Sequence, residues 1–353
     1  MFLPDRNEAN SSHQPRLRKW TGLAAAFGVL AFADPVLAQV DIDQIRTQAE
    51  GGDSKALNTL ANALVSGDGV QVDIDAAIRA YQQAADRGFA PAAFNLGLIY
   101  EIGRGVRTDI TRAFQYYLRA AELGFPAAQF NVGNMYARGL GVEVDQLEAV
   151  LWFRQAADAG IPDAQFNMAM AYETGVGVSV DPQQAVFWYD AALDKGYVRA
   201  AYNLALLYEE ARGVEKNDEE AARLYRIAAE QNFTAAQNNL GIMYAEGRGG
   251  LPQSLVEAYP WFQLAVENGD DPKARDIVKS RLDRIQQADA DVKLSALRNR
   301  LGLLVPATPE GTSATSRNNA SVASSPNPSS IEGPARMAQV DAEIARRAKR
   351  MPA

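Results

Sequence analysis

The chain has 353 residues, 47% of them hydrophobic, and a formal net charge of −8. An acidic balance of this kind argues against nucleic acid or anionic lipid as the main partner. The sequence contains no cysteine, and its single histidine is His13. Zinc sites and Ser-His-Asp or Cys-His catalysis need these side chains. We therefore expect no cofactor, no metal ion and no enzymatic activity.

The first 38 residues have the pattern of a secretory signal. A basic patch at 16–19 precedes a short apolar run at 23–33, and a small-residue cleavage site ends at Ala38. The apolar run is shorter than the roughly 20 residues that span a bilayer, which argues against a membrane anchor. We expect cleavage after about Ala38 and a periplasmic or secreted protein. Cleavage would remove four basic and three acidic residues and leave a net charge of −9.

Two residue types recur along the chain with a period of 36 residues. The aromatic positions are Tyr81, Tyr117, Phe153, Tyr189 and Tyr225. The asparagine positions are Asn95, Asn131, Asn167, Asn203 and Asn239. A fixed period of this length predicts structural units that stack on one another. Stacked units usually present one long surface to a partner and rarely carry a reaction.

Each unit contains signals for two helices. In the unit from Gly88 to Gly124, Pro91 occupies the first position of a helical pattern that Gly103 ends. Asp109 then precedes a second pattern, where its side chain can accept a bond from a free backbone N–H. Such caps recur at Asp73, Asp109, Asp145, Asp181, Asn217 and Ser254. The sequence therefore predicts an all-α fold of antiparallel helix pairs.

The chain divides into five segments. After the signal, the repeated pattern covers 39–270 as an N-terminal half-unit and about six repeats. Pro260 lies inside the last patterned helix and predicts a kink or a late start there. Residues 271–304 predict longer, charged helices that cap the array. Residues 305–336 predict a disordered linker, because they contain almost no large apolar side chains, and residues 337–353 predict a short basic helical tail.

The repeated sequence resembles the Sel-like repeat, a relative of the tetratricopeptide repeat. The motif is carried by Ala92, Phe94 to Gly97 and Tyr100, then Gly139 to Val142, then Asp145, Ala149, Trp152, Phe153, Ala156, Ala157 and Gly160. The resemblance covers about residues 50–270 and implies a right-handed superhelical solenoid that acts as an adaptor or regulator. A cysteine-rich subgroup is linked to β-lactam binding or hydrolysis. This chain departs from that subgroup, because it has no cysteine and no Ser-x-x-Lys motif.

In tetratricopeptide-like arrays the first helix of each pair lines a concave groove. The corresponding candidate partner-binding residues are Phe94, Asn95, Leu98, Phe130, Asn131, Asn134, Phe166, Asn167, Met170, Arg199, Tyr202, Asn203 and Leu206. We expect an apolar trough of aromatic rings with amides beside it and Glu101, Glu173 and Glu209 at one edge. Two alternatives stay open: the aromatics are core, and the asparagines make structural bonds between units. Asn134 and Arg199 depart from the repeat and are stronger candidates for function.

The sequence favours an exported, non-catalytic scaffold or regulator that binds a peptide or helix of an envelope protein in its groove. One alternative is a polysaccharide-binding protein or a scaffold for exopolysaccharide secretion. A less favoured alternative is a hydrolase, either β-lactamase-like or a glycosidase that uses carboxylates. We expect no stable membrane span after cleavage. Docking of the basic tail, 337–351, into the groove is a further hypothesis.

Overall fold

The structure is a computed structural model that describes residues 42–303. Within this range it contains 15 helices and no strand, which confirms the predicted all-α class. The helices form two compact units, one ending at Tyr197 and one beginning at Val198. The predicted signal, linker and tail lie outside the described residues.

The first unit contains α1 to α9: Ile42–Glu50, Ser54–Ser66, Ile74–Asp86, Ala90–Ile102, Ile110–Glu122, Pro126–Arg138, Gln146–Asp158, Pro162–Thr174 and Pro182–Asp194. The second unit contains α10 to α15: Arg199–Glu209, Asp218–Glu230, Thr234–Glu246, Leu255–Glu267, Lys273–Arg281 and Arg284–Arg300. The even-numbered helices α2 to α12 are the first helices of the pairs. The odd-numbered helices α3 to α13 are the second helices.

Each second helix begins at a residue whose side chain accepts a backbone N–H. The Oδ1 atom of Asp109 accepts from the N–H of Arg112 at 2.9 Å, and that of Asp145 accepts from Glu148 at 3.0 Å. The same cap is present at Asp73, Asp181, Asn217 and Ser254. These bonds confirm the caps that the sequence predicts, and each satisfies a donor that the helix leaves free.

The core of each pair is formed by one large ring against one small residue. Tyr117 and Phe153 are almost completely buried on the second helices. A Cβ atom added to Gly97 would lie 2.5 Å from the Tyr117 ring, and one added to Gly133 would lie 2.7 Å from the Phe153 ring. The glycines therefore let the two helices approach closely enough for the ring to fill the space between them.

The turns between paired helices carry a second glycine that touches the preceding second helix. Gly141 has a φ of +70°, and a Cβ atom there would lie 2.5 Å from the carbonyl oxygen of Ile110. A Cβ atom on Gly177 would collide in the same way with the carbonyl oxygen of Gln146. A left-handed backbone and a close backbone contact both require glycine at this position.

The last two helices, α14 and α15, pack against α13. They bury Val278, Leu294 and Leu297. Helix α13 begins at Leu255 after the cap at Ser254 and contains Pro260 in its interior. The predicted late start is therefore wrong, because the cap lies six residues before the proline and already fixes the start of the helix.

Candidate functional site

The candidate aromatic residues of the first unit are half-buried on the first helices. The ring of Phe94 lies 5.4 Å from that of Tyr117 and 5.1 Å from that of Phe125. The ring centroids of Phe130 and Phe153 are 5.9 Å apart, and those of Phe166 and Tyr189 are 5.5 Å apart. Each ring therefore contributes to the core through one part and remains accessible through another. Leu98 and Met170 are half-buried one turn further along.

The candidates of the second unit lie on α10. Tyr202 is buried, with its ring 5.9 Å from that of Tyr225 and 4.8 Å from that of Phe233. Asn203 and Leu206 are half-buried, whereas Arg199 is exposed. Tyr202 therefore belongs more to the core than its counterparts in the first unit do.

Three residues of the asparagine series, Asn95, Asn131 and Asn239, make side-chain hydrogen bonds to neighbouring helices. At the first junction, the Tyr81 hydroxyl donates to Oδ1 of Asn62 at 2.5 Å. The Nδ2 group of Asn95 donates to Oδ1 of Asn58 at 3.1 Å and to Oδ1 of Asn62 at 3.3 Å. Asn95 is only 5% exposed, so its amide makes its hydrogen bonds inside the protein and is not accessible to a ligand. This supports the structural alternative for Asn95.

At the second junction a carboxylate takes the place of the second amide. The Tyr117 hydroxyl donates to Oε2 of Glu101 at 2.5 Å, and the Asn131 side chain hydrogen-bonds to the same phenol. Burial raises the pKa of Tyr117, and the nearby Glu101 charge raises it further. Both effects hold the phenol as a proton donor. Glu101 thus satisfies a buried hydroxyl at the place where we expected an acidic edge of the groove.

A glutamate is also the acceptor in the fourth and fifth repeats, whereas Tyr81 in the first repeat uses the amide oxygen of Asn62. The Tyr189 hydroxyl donates to Glu173 at 2.6 Å, and the Tyr225 hydroxyl donates to Glu209 at 2.7 Å. The third repeat has Phe153 in place of tyrosine, and the residue 16 positions earlier is Ala137 instead of glutamate. The sixth repeat carries a phenylalanine at 262 and an alanine at the equivalent first-helix position, 245. The two are 17 residues apart because this repeat is one residue longer. Tyrosine thus occurs with an acceptor, and phenylalanine occurs with alanine. The sequence shows this correlation only when the two positions are compared across the repeats, so a prediction made from one position misses it.

The third junction differs from the others because its amides have no such partners. Asn134 and Asn167 are half-buried, and within residues 42–303 neither side chain has a hydrogen-bond partner. They are 33 residues apart, as are Asn62 and Asn95, which are hydrogen-bonded at the first junction. Phe153 supplies no hydroxyl to this pair. We call Phe130, Asn134 and Asn167 the amide notch.

One cluster of charged side chains in the second unit, centred on Arg248, is paired within the fold. Arg248 contacts Glu209 at 2.8 Å, Asp218 at 3.1 Å and Glu246 at 3.2 Å. Burial alone would lower the pKa of Arg248, but its hydrogen bonds to these carboxylates raise it. In the described part of the chain, no group of three or more His, Cys, Asp or Glu side chains is arranged to hold a metal ion. No helix between residues 42 and 303 is both long and apolar enough to cross a membrane.

The Sel1 repeat model matches six consecutive segments of the chain. They are 54–89, 90–125, 126–161, 162–197, 198–233 and 234–270. The chain belongs to the Sel1-repeat family. Sel1-repeat proteins are generally protein-interaction scaffolds. The family boundaries coincide with the helix pairs, since each segment contains one first helix and one second helix.

Solved structures of other Sel1-repeat proteins show the same fold. One is c5321, described as a protective antigen present in uropathogenic Escherichia coli strains displaying an SLR fold; it is 32% identical, with a TM-score of 0.62. The match covers 75% of this chain and 59% of that protein, so the chain spans about three fifths of the antigen's length. A Sel1-repeat protein from Oxalobacter formigenes is 29% identical, with a TM-score of 0.53, and the match covers 65% and 92% of the two chains. No curated protein matches the chain. The predicted helical-repeat solenoid class is therefore confirmed.

Proposed function

We propose that this Sel1-repeat protein is a non-catalytic scaffold that binds an extended peptide of a partner on the first helices of its first unit. The observation that carries the proposal is the amide notch. Asn95 and Asn131 make bonds within the fold, but Asn134 and Asn167 keep their hydrogen-bonding groups available. Both side chains are half-buried and their amides can reach water. A ligand that replaces this water with its own hydrogen bonds gains about 0.5–1.5 kcal/mol for each bond.

The chemistry of the notch fits a peptide backbone. Each asparagine side chain carries one carbonyl acceptor and one NH₂ donor group, which match the N–H and C=O of a main-chain peptide group. The half-buried rings of Phe130 and Phe166 lie on the same helices as the two amides. They offer apolar contact to the side chains of an extended ligand. Leu98 and Met170 extend this apolar surface.

We assign the partner to the bacterial envelope. The support is the secretory pattern of residues 1–38, and the absence of cysteine in the whole sequence is compatible with an oxidising compartment. Retention of residues 1–38 in mature protein purified from its native cells, measured by intact mass, would contradict this assignment.

Two substitutions test the notch. Asn134→Leu restores the apolar residue that other repeats carry at this position, as in Leu98 and Leu206, so the fold should tolerate it. Asn167→Ala removes the second amide. A peptide selected against the immobilised mature protein should bind each variant at least about tenfold more weakly by fluorescence anisotropy, the loss of one buried hydrogen bond.

A matched control removes amides that lie elsewhere. Gln83→Ala and Gln183→Ala each truncate an exposed amide on a second helix and should leave the affinity unchanged. The notch would be refuted if Asn134→Leu and Asn167→Ala bound the peptide as tightly as these controls do.

The double variant Phe130→Ala, Phe166→Ala tests the apolar part of the surface. If this variant is folded and still captures the peptide with unchanged affinity, the assignment of the rings is refuted.

A further inference from the structure

A second candidate site lies between the second helices α3 and α5 and the end of α4. This cleft has a volume of about 320 Å³ and is lined by Gln82, Tyr100, Arg112, Gln115, Tyr116 and Arg119. Its volume is at the lower end of the range for small-molecule sites. It shares no residue with the amide notch. The lining contains two guanidinium groups and no carboxylate.

The two arginines lie on one side of α5. They are seven residues apart, which corresponds to about 10 Å along a helix axis. The Nε atom of Arg112 is 3.3 Å from Oδ2 of Asp109, and Nη1 of Arg119 is 2.9 Å from Oδ1 of Asp86. These pairs are solvent-exposed, so they contribute little to stability. They orient the guanidinium groups, and since each group has five N–H donors, most of its donors remain available.

The wall between the arginines is built from two tyrosine rings and two glutamine amides. The rings of Tyr100 and Tyr116 stack at 5.6 Å with an angle of 8° between their planes. The Arg112 guanidinium lies 5.5 Å from the centre of the Tyr100 ring. The Nε2 group of Gln82 donates to the Tyr116 hydroxyl at 3.3 Å. Gln115 is exposed, and no residue between 42 and 303 hydrogen-bonds to its amide.

Packing of a helix pair does not require these arginines. The residues equivalent to Arg112 in the neighbouring repeats are Ala76, Glu148, Gln184 and Glu220. The residues equivalent to Arg119 are Gln83, Gln155, Ala191 and Ile227. These repeats form the same two-helix unit without an arginine pair. The pair Arg112 and Arg119 is therefore specific to the second repeat and is not part of the packing that the repeats share.

We infer that this cleft binds a small, extended dicarboxylate with a hydroxylated middle. One carboxylate pairs with Arg112 and the other with Arg119, because planar guanidinium groups bind carboxylates through two parallel hydrogen bonds. Hydroxyl groups between them pair with the amides of Gln82 and Gln115. This site is separate from the proposed peptide-binding face.

Four six-carbon compounds test this assignment by calorimetry with the full mature chain. Glucarate has two carboxylates and four hydroxyls, gluconate has one carboxylate, sorbitol has none, and adipate has two carboxylates without hydroxyls. We expect glucarate to bind most tightly, gluconate and adipate at least about tenfold more weakly, and sorbitol not at all. Equal affinity for sorbitol and glucarate, or no binding of glucarate at millimolar concentration, would overturn the inference.

Substitutions locate the binding in the cleft. Arg112→Gln and Arg119→Gln should each weaken glucarate binding at least about tenfold while the peptide affinity of the first-helix face stays unchanged. Arg79→Gln is the matched control, since Arg79 is exposed on α3 at the position equivalent to Gln115 and its substitution makes the same change in net charge. Glucarate affinity that falls equally in all three variants reflects net charge and refutes the site.

Discussion

At the scale of single residues, the ring on the second helix and the residue that faces it on the first helix vary together from repeat to repeat. Tyrosine on a second helix occurs with an acceptor on the first helix, and Phe153 occurs with Ala137. The period alone predicts that these rings are structural, and they are buried. The roles of the glutamates and asparagines could not be predicted from single positions. They depend on whether a ring in a neighbouring helix carries a hydroxyl that needs a partner.

Tyr117→Phe removes such a hydroxyl and should lower the free energy of unfolding by about 1–3 kcal/mol, because Glu101 and Asn131 lose a buried partner. Adding Glu101→Ala reproduces the natural Phe153 and Ala137 pair and should recover part of this loss. Urea unfolding monitored by circular dichroism measures both. A double variant as destabilised as the sum of the two single variants would contradict the coupling.

The same phenols predict the response to alkaline pH. Burial raises the pKa of Tyr117 and Tyr225 above the ordinary value of 10.0, and the adjacent glutamates raise it further. Unfolded tyrosine ionises above pH 10 while the folded residue keeps its proton. The two phenols therefore make their full contribution to the free energy of unfolding below pH 10. Above pH 10 this contribution falls by about 1.4 kcal/mol per pH unit for each group. The prediction is checked by measuring urea unfolding midpoints between pH 8 and 11. Above pH 10 the midpoint of the double variant Tyr117→Phe, Tyr225→Phe should fall less steeply than that of the unmodified protein.

At the scale of helices, the boundaries could be predicted because their causes are local. A cap such as Asp109 and a glycine such as Gly103 act within one turn of the helix end that they define. The second glycine of each turn is different. The close contact of Gly141 with the Ile110 carbonyl joins two repeats and depends on tertiary packing. No local pattern reveals such a contact.

Two glycine substitutions separate these effects. Gly88 has a φ of +83° and no atom within 4 Å of an added Cβ, so Gly88→Ala should cost only the left-handed strain, about 1 kcal/mol. Gly141→Ala adds a collision 2.5 Å from a backbone oxygen and should cost about 1–3 kcal/mol more. Thermal unfolding measures the difference. Equal losses in the two variants would show that the contact between the repeats is not rigid.

At the scale of the whole molecule, repeats are stabilised mainly by their neighbours, so a regular period predicts the fold class well. The period does not predict the division after Tyr197. At the start of α10 the backbone of Val198 is helical and no side chain caps the helix, whereas α6 and α8 begin with proline. Neither could the period predict the amide notch, because the notch arises where the repeated partners are missing.

The two units give a final prediction about the whole chain. Buried residues from Ala49 to Trp152 form one continuous core cluster in the first unit, and the amide notch lies on α6 and α8 of the same unit. A fragment of residues 39–197 should therefore be helical, unfold in a cooperative thermal transition, and bind the selected peptide within about twofold of the full chain. A fragment of residues 198–303 should fold without binding it. A folded 39–197 fragment that has lost the peptide would show that binding needs the second unit and would contradict the assignment of the site to the notch.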